Sequence, residues 1–271
     1  TTDNTNPPYT DEEMIVHKLI NKQNKKGDVQ DWIGPYKTEM QEVENRRLTE
    51  LDDDDITDNI RREAIPLRMI LESKRDGRMK GRLVAMGYKE PTYWDVKSNS
   101  SPVVSLSTVR ALLFRAGLIT DIISSVDVSV AFLQADPYPD DHPKRYVMYQ
   151  PDRSIKAKYY LLRGAIYGQR SASREWYDTL AGWLESKGYH KKDDEPCAFI
   201  NDKGFTVLSY VDDLICRGSM EETEKFYKLL ADKFDCKDYN ILSPDNRLAF
   251  LGFDITCGDI GINDALIPTA W

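Results

Sequence analysis

The chain has little of what marks a membrane-spanning, secreted or metal-cluster protein. No stretch approaches the roughly 18 consecutive apolar residues of a membrane helix, and the start at Thr1 lacks the charged-then-apolar pattern of a secretion signal. An initiator Met is also lacking, which reads as a fragment or a processed product. Cysteine is sparse: Cys197, Cys216, Cys236 and Cys257 are widely spaced, with no C-x-x-C pair. That spacing argues against zinc and for reduced, partly buried thiols of an intracellular protein. The 3 histidines, His17, His142 and His190, are scattered, none beside a second ligand at metal spacing. Internal repeats are absent, and the only biased tract is the acid run Asp52 to Asp55.

What is present fits a globular chain of 271 residues, 41% hydrophobic and 30% charged, enough for one large domain or two smaller ones. The net charge of −8 is unevenly spread. Residues 1–60 hold 7 Lys/Arg against 15 Asp/Glu, a balance of −8, so the remainder is neutral overall. Residues 61–90 hold 9 against 4, a local +5. The first segment reads as an acidic, poorly ordered leader or linker with one short helix. The second could lie along a phosphate backbone, although many solvated faces carry the same balance.

From Pro66 the pattern becomes regular. Leu67–Ser73 and Arg82–Tyr88 read as strands around Lys74-Arg75-Asp76-Gly77-Arg78, where Asp-Gly signals a hairpin. Ser107-Thr108 would cap a helix running through Ile119. Ser124–Val130 reads as a buried strand, and Ser173–Lys187 as a helix with Trp176, Leu180, Trp183 and Leu184 on its core face. Phe205–Tyr210 and Leu214–Cys216 are short strands, Ser219 to Glu222 opens a helix to about Phe234, and Phe250–Ile255 reads as a last strand. Hairpins that interrupt the alternation of strand and helix favour an α+β sheet over a doubly wound one.

Asp127 stands inside an apolar strand, where an acid costs desolvation energy unless it is paired or holds metal. Asp212 and Asp213 are adjacent carboxylates between two apolar strands. A lone Asp-Asp is usually a solvated turn, but two such acid sites call for a shared cation. Magnesium takes oxygen ligands from one or two carboxylates plus substrate phosphates. Two ions about 3.5–4 Å apart stabilise both oxygens of an in-line displacement at phosphorus. Spacing alone does not separate a polymerase from a metal-dependent nuclease.

Tyr210-Val211-Asp212-Asp213, with its apolar flanks, resembles the catalytic signature of reverse transcriptases, and the order around it resembles the copia-type retrotransposon polyprotein. The carrying blocks are Arg78-Met79-Lys80-Gly81-Arg82-Leu83-Val84-Ala85-Met86-Gly87-Tyr88, Ser101-Pro102-Val103, Thr108-Val109-Arg110, and Val126-Asp127-Val128-Ser129-Val130-Ala131-Phe132-Leu133. They continue in Tyr146 to Pro151, Leu162 to Gly168 with Arg174-Glu175-Trp176-Tyr177, and Phe250 to Ile255. The resemblance implies a right-hand polymerase fold with a central antiparallel palm sheet. Residues 61–256 would form fingers and palm, and 257–271 the start of a largely missing thumb. It implies an RNA-directed DNA polymerase with catalytic Asp127, Asp212 and Asp213. Two Mg²⁺ ions, replaceable by Mn²⁺, would be held by Asp127, Val128, Asp212 and Asp213. The nucleotide would be bound by Lys74, Lys80, Arg82, Val130, Ala131, Phe132, Tyr167 and Gly168, with Phe132 excluding a ribose 2′-OH. Leu251 and Gly252 would grip the primer. Implied partners are an RNA or DNA template with primer, dNTPs and other segments of a Gag-Pol-type polyprotein, with no membrane. Implied locations are cytoplasmic virus-like particles and the nucleus.

Several positions depart from the family pattern. Ser129-Val130 stands where Lys-Thr or Lys-Ser is usual, Gly168 to Arg174 reads GQRSASR, and the Pro-rich loop Gln134 to Pro143 is long. Two other readings stay open here: a truncated or co-opted fold that binds nucleic acid without catalysis, and a nuclease, in which an aromatic gate would have no purpose.

Overall fold

The computed structural model describes residues 9–74, 76–91, 94, 99–118, 121–258 and 267–270, the last four and residues 118 and 258 by backbone alone. The expectations for residues 1–8, Arg75, Ile119, 259–266 and Trp271 fall outside these. In chain order the elements begin with α1 (Asp11–Gln23), α2 (Val29–Arg47), β1 (Leu48–Glu50), α3 (Asp58–Glu63), β2 (Ile65–Ser73) and β3 (Met79–Ala85). Then come α4 (Leu106–Leu118), β4 (Ile122–Asp127), β5 (Arg145–Tyr149), β6 (Lys158–Leu162), α5 (Ala172–Ser186), β7 (Tyr189–Lys192) and β8 (Glu195–Asn201). The chain continues with β9 (Thr206–Tyr210), β10 (Asp213–Gly218), α6 (Met220–Lys233), β11 (Asn240–Ile241), β12 (Leu248–Phe250), β13 (Phe253–Gly258) and β14 (Ile267–Ala270). They fall into two compact units, residues 1–99 with 136–172, and residues 100–135 with 173–271.

The first unit is built on a five-stranded sheet of order β1-β6-β5-β2-β3, in which only the β2–β5 pair is parallel. The Asp-Gly signal is realised as the β2–β3 hairpin, with Gly77 at φ 82° in the turn, a conformation glycine adopts without strain. β3 runs from Met79 to Ala85 rather than Arg82 to Tyr88, because the chain turns into a short 3₁₀ stretch, Gly87–Lys89.

The reading of residues 1–60 as a poorly ordered leader with one short helix is corrected over 11–47, which form two helices. Each starts with a reciprocal cap: Thr10 with Glu13 for α1, Asp28 with Asp31 for α2. Their apolar residues Val16, Leu19, Trp32, Tyr36 and Val43 are buried, and α2 packs on β3. Helical spacing of a few large apolar residues was enough, although acidic residues separate them.

The second unit holds a wholly antiparallel six-stranded sheet of order β11-β4-β10-β9-β8-β7 and a three-stranded sheet of order β12-β13-β14. Its core gathers Trp176 and Trp183 of α5 around Phe234, at ring distances of 5.2 and 5.3 Å, with Phe226 beside Phe205 at 5.3 Å. The cap of α4 is Ser105, whose hydroxyl accepts the Thr108 N–H at 3.1 Å, two residues before the Ser107-Thr108 expected. Phe250–Ile255 is not one strand but two, β12 and β13, turned at Leu251 and Gly252 with φ of 53° and 76°. Among the described residues no helix is long and apolar enough to cross a membrane.

Candidate active site

In the second unit the sheet register brings the acids together. β10 pairs with both β4 and β9, and Asp213 is opposite Asp127 on one side and Tyr210 on the other. Asp212 sits in the two-residue turn between β9 and β10, where its carbonyl accepts the Val128 N–H at 2.8 Å. That bond ties the start of the loop after β4 to the acidic turn. Burial, then the charges of Asp212 and Asp127, push the Asp213 carboxyl up to about 6. Lys237 counters this: its Nζ lies 3.0 Å from Asp127 Oδ1, and its N–H donates to the Asp127 carbonyl at 3.0 Å.

The donor set suits a hard divalent cation, which would offset the charge repulsion that, after burial, raises Asp213. Among the described residues no group of three or more His, Cys, Asp or Glu is drawn together as a ready metal cage. The Lys237 ammonium supplies the positive charge at Asp127, and its side chain is 66% exposed.

An ordinary aspartate ionises near 3.8 and Asp213 near 6, so the folded state holds that proton more tightly. The resulting penalty is complete above about 6, shrinks as pH falls, and is gone below about 3.8. In metal-free buffer Asp213→Asn is therefore expected to raise Tm at neutral pH by a few degrees, at about 2–4 °C per kcal/mol. Scanning calorimetry from acid to neutral pH should show the gain fading below pH 6; a variant less stable than the parent at neutral pH would refute the assignment.

The acidic turn is strained. Val211, β-branched, has φ 55°, a left-handed conformation that costs about 1–3 kcal/mol. The indole Nε1 of Trp176, 1% exposed, donates to the Val211 carbonyl at 2.6 Å and holds the turn in place. Helical spacing identifies Trp176 as core; its second task follows only from the need of a buried indole N–H for an acceptor. Phe250 of β12 reaches the same hairpin, its ring 6.5 Å from that of Tyr210, so the Leu251-Gly252 turn and the acidic turn belong to one packed region.

Val130, Ala131 and Phe132 form a tight bend after β4. Val130 is left-handed at φ 44°, and Ala131–Gln134 is a 3₁₀ turn. Gln134 locks the bend: its Nε2 donates to the carbonyls of Ser129 (2.6 Å) and Asp235 (2.9 Å), and its Oε1 accepts the Asp235 N–H at 2.8 Å. Phe132 is half-buried on this turn. Neither Gln134 nor Lys237 carried a sequence signal, since both act across long loops.

In the first unit Arg82, Tyr167 and Gly168 come together. The Tyr167 carbonyl accepts the Ala85 N–H at 2.7 Å, and the Arg82 guanidinium carbon stands 5.4 Å from the Tyr167 ring centre. Gly168 is at φ 84°, and a Cβ there would lie 2.2 Å from the Ala85 carbonyl oxygen, so only glycine lets the turn close on β3. Arg82 Nε is buried with no hydrogen-bond partner among the described residues, a donor suited to an incoming anion. Lys80 lies on the same strand, half-buried. Lys74 stands apart at the hairpin tip, roughly 13 Å along the strand from the partner of Arg82.

These arrangements can be set beside known proteins. A family model described as reverse transcriptase (RNA-dependent DNA polymerase) matches residues 55–264. The retrovirus-related Pol polyprotein from transposon TNT 1-94 of Nicotiana tabacum is 28% identical over 185 residues, 63% of this chain and 14% of that protein. The transposon Ty1-LR2 Gag-Pol polyprotein of Saccharomyces cerevisiae is 27% identical over 257 residues, 90% of this chain. The chain spans 14% of the length of either polyprotein. Among solved structures, apo telomerase from Candida tropicalis, truncated from its C-terminal domain, superposes with a TM-score of 0.50 at 12% identity. That match covers 90% of this chain and 60% of the telomerase, and shows a shared fold.

Proposed function

Since the chain belongs to the reverse transcriptase (RNA-dependent DNA polymerase) family, we propose that it is the polymerase segment of a copia-like Gag-Pol polyprotein, adding deoxynucleotides to a primer 3′-OH on an RNA or DNA template. The observation that carries this reading is the meeting of Asp127 and Asp213 as cross-strand partners beside Asp212, with the Asp213 carboxyl raised by burial and then by the charges of its neighbours.

In this reading Asp127, Asp212 and Asp213, with the Val128 backbone, hold two Mg²⁺ ions, with Mn²⁺ as a substitute. When bound, these ions neutralise charge on the phosphates during in-line displacement by the primer 3′-OH at the α-phosphorus, with pyrophosphate leaving. Arg82, stacked on Tyr167 and with Nε unpaired, takes up the triphosphate, with Lys80 adding charge. Lys74, at the hairpin tip, contributes at longer range. The Val130 and Ala131 backbone and the Gly168 turn line the nucleotide's path, and the Phe132 ring excludes a 2′-OH. Leu251 and Gly252 place the primer terminus. Residues 61–256 then make up fingers and palm, and residues 257–271 begin a thumb. Catalysis here is positioning and charge stabilisation rather than covalent chemistry.

Primer extension on poly(rA)/oligo(dT) with Mg²⁺ or Mn²⁺ tests the reading. Extension by the parent chain supports it. Duplex binding without extension would favour a co-opted, non-catalytic fold, and cleavage of the duplex without dNTPs would favour a nuclease.

Trp176→Phe provides a finer test. Phenylalanine keeps an aromatic ring against Phe234 and removes the bond to the Val211 carbonyl together with part of the buried indole's volume. Turnover is expected to fall about tenfold, the value of one buried hydrogen bond, with the KM for primer–template unchanged. Steady-state kinetics would show this, and an unaltered kcat would leave Trp176 as core alone.

A further inference from the structure

The β2–β3 arm that carries Lys80 and Arg82 has two open edges. β3 ends its sheet, and β5 pairs with β2 only at Ile65, Pro66 and Leu67. Around Arg82 and its partner Ile70, both edges are capped by side chains of residues 11–47, a segment outside the 55–264 match. Gln23, the last residue of α1, closes the β2 edge. Its Nε2 donates to the Met69 carbonyl at 2.9 Å, and its Oε1 accepts the Leu71 N–H at 3.0 Å, the two bonds a neighbouring strand would otherwise make.

Glu39 of α2, only 6% exposed, closes the β3 edge by accepting the Leu83 N–H at 2.9 Å. Burial pushes this carboxyl up, and the Leu83 bond and the charges of Lys80 and Arg82 draw it back. The helix is pressed close at this point: a Cβ on Gly81 would lie 2.8 Å from the Pro35 carbonyl oxygen.

These contacts converge on one residue. Leu83 follows Arg82 directly, and Met69 and Leu71 flank Ile70, the cross-strand partner of Arg82. All three bonds therefore end on chain neighbours of Arg82 or of its partner. We propose that Gln23 and Glu39 form a clasp that sets the position of Arg82 for the incoming triphosphate, so that α1 and α2 are a working part of the nucleotide site. Neither side chain touches the nucleotide, and both are positioning residues. The proposal rests on Arg82 binding the triphosphate, as proposed above. The competing account is plain edge protection against strand pairing, which would change stability alone.

The test uses the full chain with Glu39→Ala, Glu39→Gln, Gln23→Ala and Arg82→Ala, reading kcat, the KM for dNTP, the KM for primer–template, Tm and amide exchange at Leu83. Glu39→Ala is expected to raise the dNTP KM about tenfold, the value of one buried hydrogen bond, with kcat and the primer–template KM nearly unchanged. Glu39→Gln still offers an oxygen to the Leu83 N–H and should stay close to the parent, with Leu83 protected from exchange. Gln23→Ala should shift the dNTP KM in the same direction. A lowered Tm with an unchanged dNTP KM in Glu39→Ala and Gln23→Ala would reduce the clasp to edge protection. If the parent extends no primer, equilibrium binding of labelled dNTP replaces KM and decides the clasp separately from polymerase activity. Arg82→Ala binding dNTP as tightly as the parent would overturn the proposal.

Discussion

Asp212→Asn should lower primer extension by about a thousandfold or more, the scale on which a charge aimed at the reacting centre acts, and leave the fold unchanged. Asparagine has the shape of aspartate, and the contact that ties the turn to the start of the next loop is made by the Asp212 backbone carbonyl to Val128, which the substitution leaves in place. The charge lost is one of three that repel each other, so Tm should hold or rise. Binding of Mn²⁺, followed by electron paramagnetic resonance without nucleotide, should weaken in parallel. Extension within a few-fold of the parent would remove Asp212 from the metal-binding set. A collapse of Tm would mean that the turn depends on this side chain for structure.

With Phe132 as the proposed gate, Phe132→Ala should relax selection of deoxynucleotides over ribonucleotides by about ten- to a hundredfold, as expected when a pocket loses a steric wall. The geometry favours a clean result. Phe132 sits on a 3₁₀ turn whose backbone is fixed by three hydrogen bonds of Gln134, so removing the ring should not let the bend drift. Incorporation of rNTP against dNTP under single-turnover conditions measures the ratio. Unchanged selectivity would place the gate elsewhere. Loss of dNTP incorporation without a gain for rNTP would mark the ring as a support for the sugar and not a gate.

Much of this site could be read in the sequence because its chemistry lies in short, regular segments. The strands around Tyr210-Val211-Asp212-Asp213 are apolar and end where charge begins, and the structure bounds them within a few residues at Thr206–Tyr210 and Asp213–Gly218. Other features were hidden by physics that acts over long separations. The two N-terminal helices dilute their apolar residues with acids, so composition pointed to disorder, and the reciprocal caps Thr10–Glu13 and Asp28–Asp31 that start them were not read. Leu251 in a left-handed turn contradicts its own preference, and for that reason a run of apolar residues passed for one strand. The end of β3 was misplaced because Gly87 and Gly168 let the chain turn there, a contact in which a Cβ on Gly87 would lie 2.1 Å from the Gly168 carbonyl oxygen. The link from Lys237 to Asp127 joins residues with no periodic relation at all.

The way the two units share the chain has a consequence for biosynthesis. Each unit is assembled from two separated stretches, so the chain leaves the first unit, begins the second, and returns before either is complete. During translation β2 must wait for β5, and β4, which bears Asp127, must wait for β10 to bring Asp213. Loop closure over such distances is slow, and the nascent strands stay exposed meanwhile. The carboxylates thus meet only after the 86 residues from Asp127 to Asp213 have followed one another off the ribosome, which delays any metal-dependent chemistry until β10 has emerged. The same weave means that residues 1–99 expressed alone would lack β5 and β6, and that a soluble half-protein would require the two stretches of a unit to be joined by a designed linker.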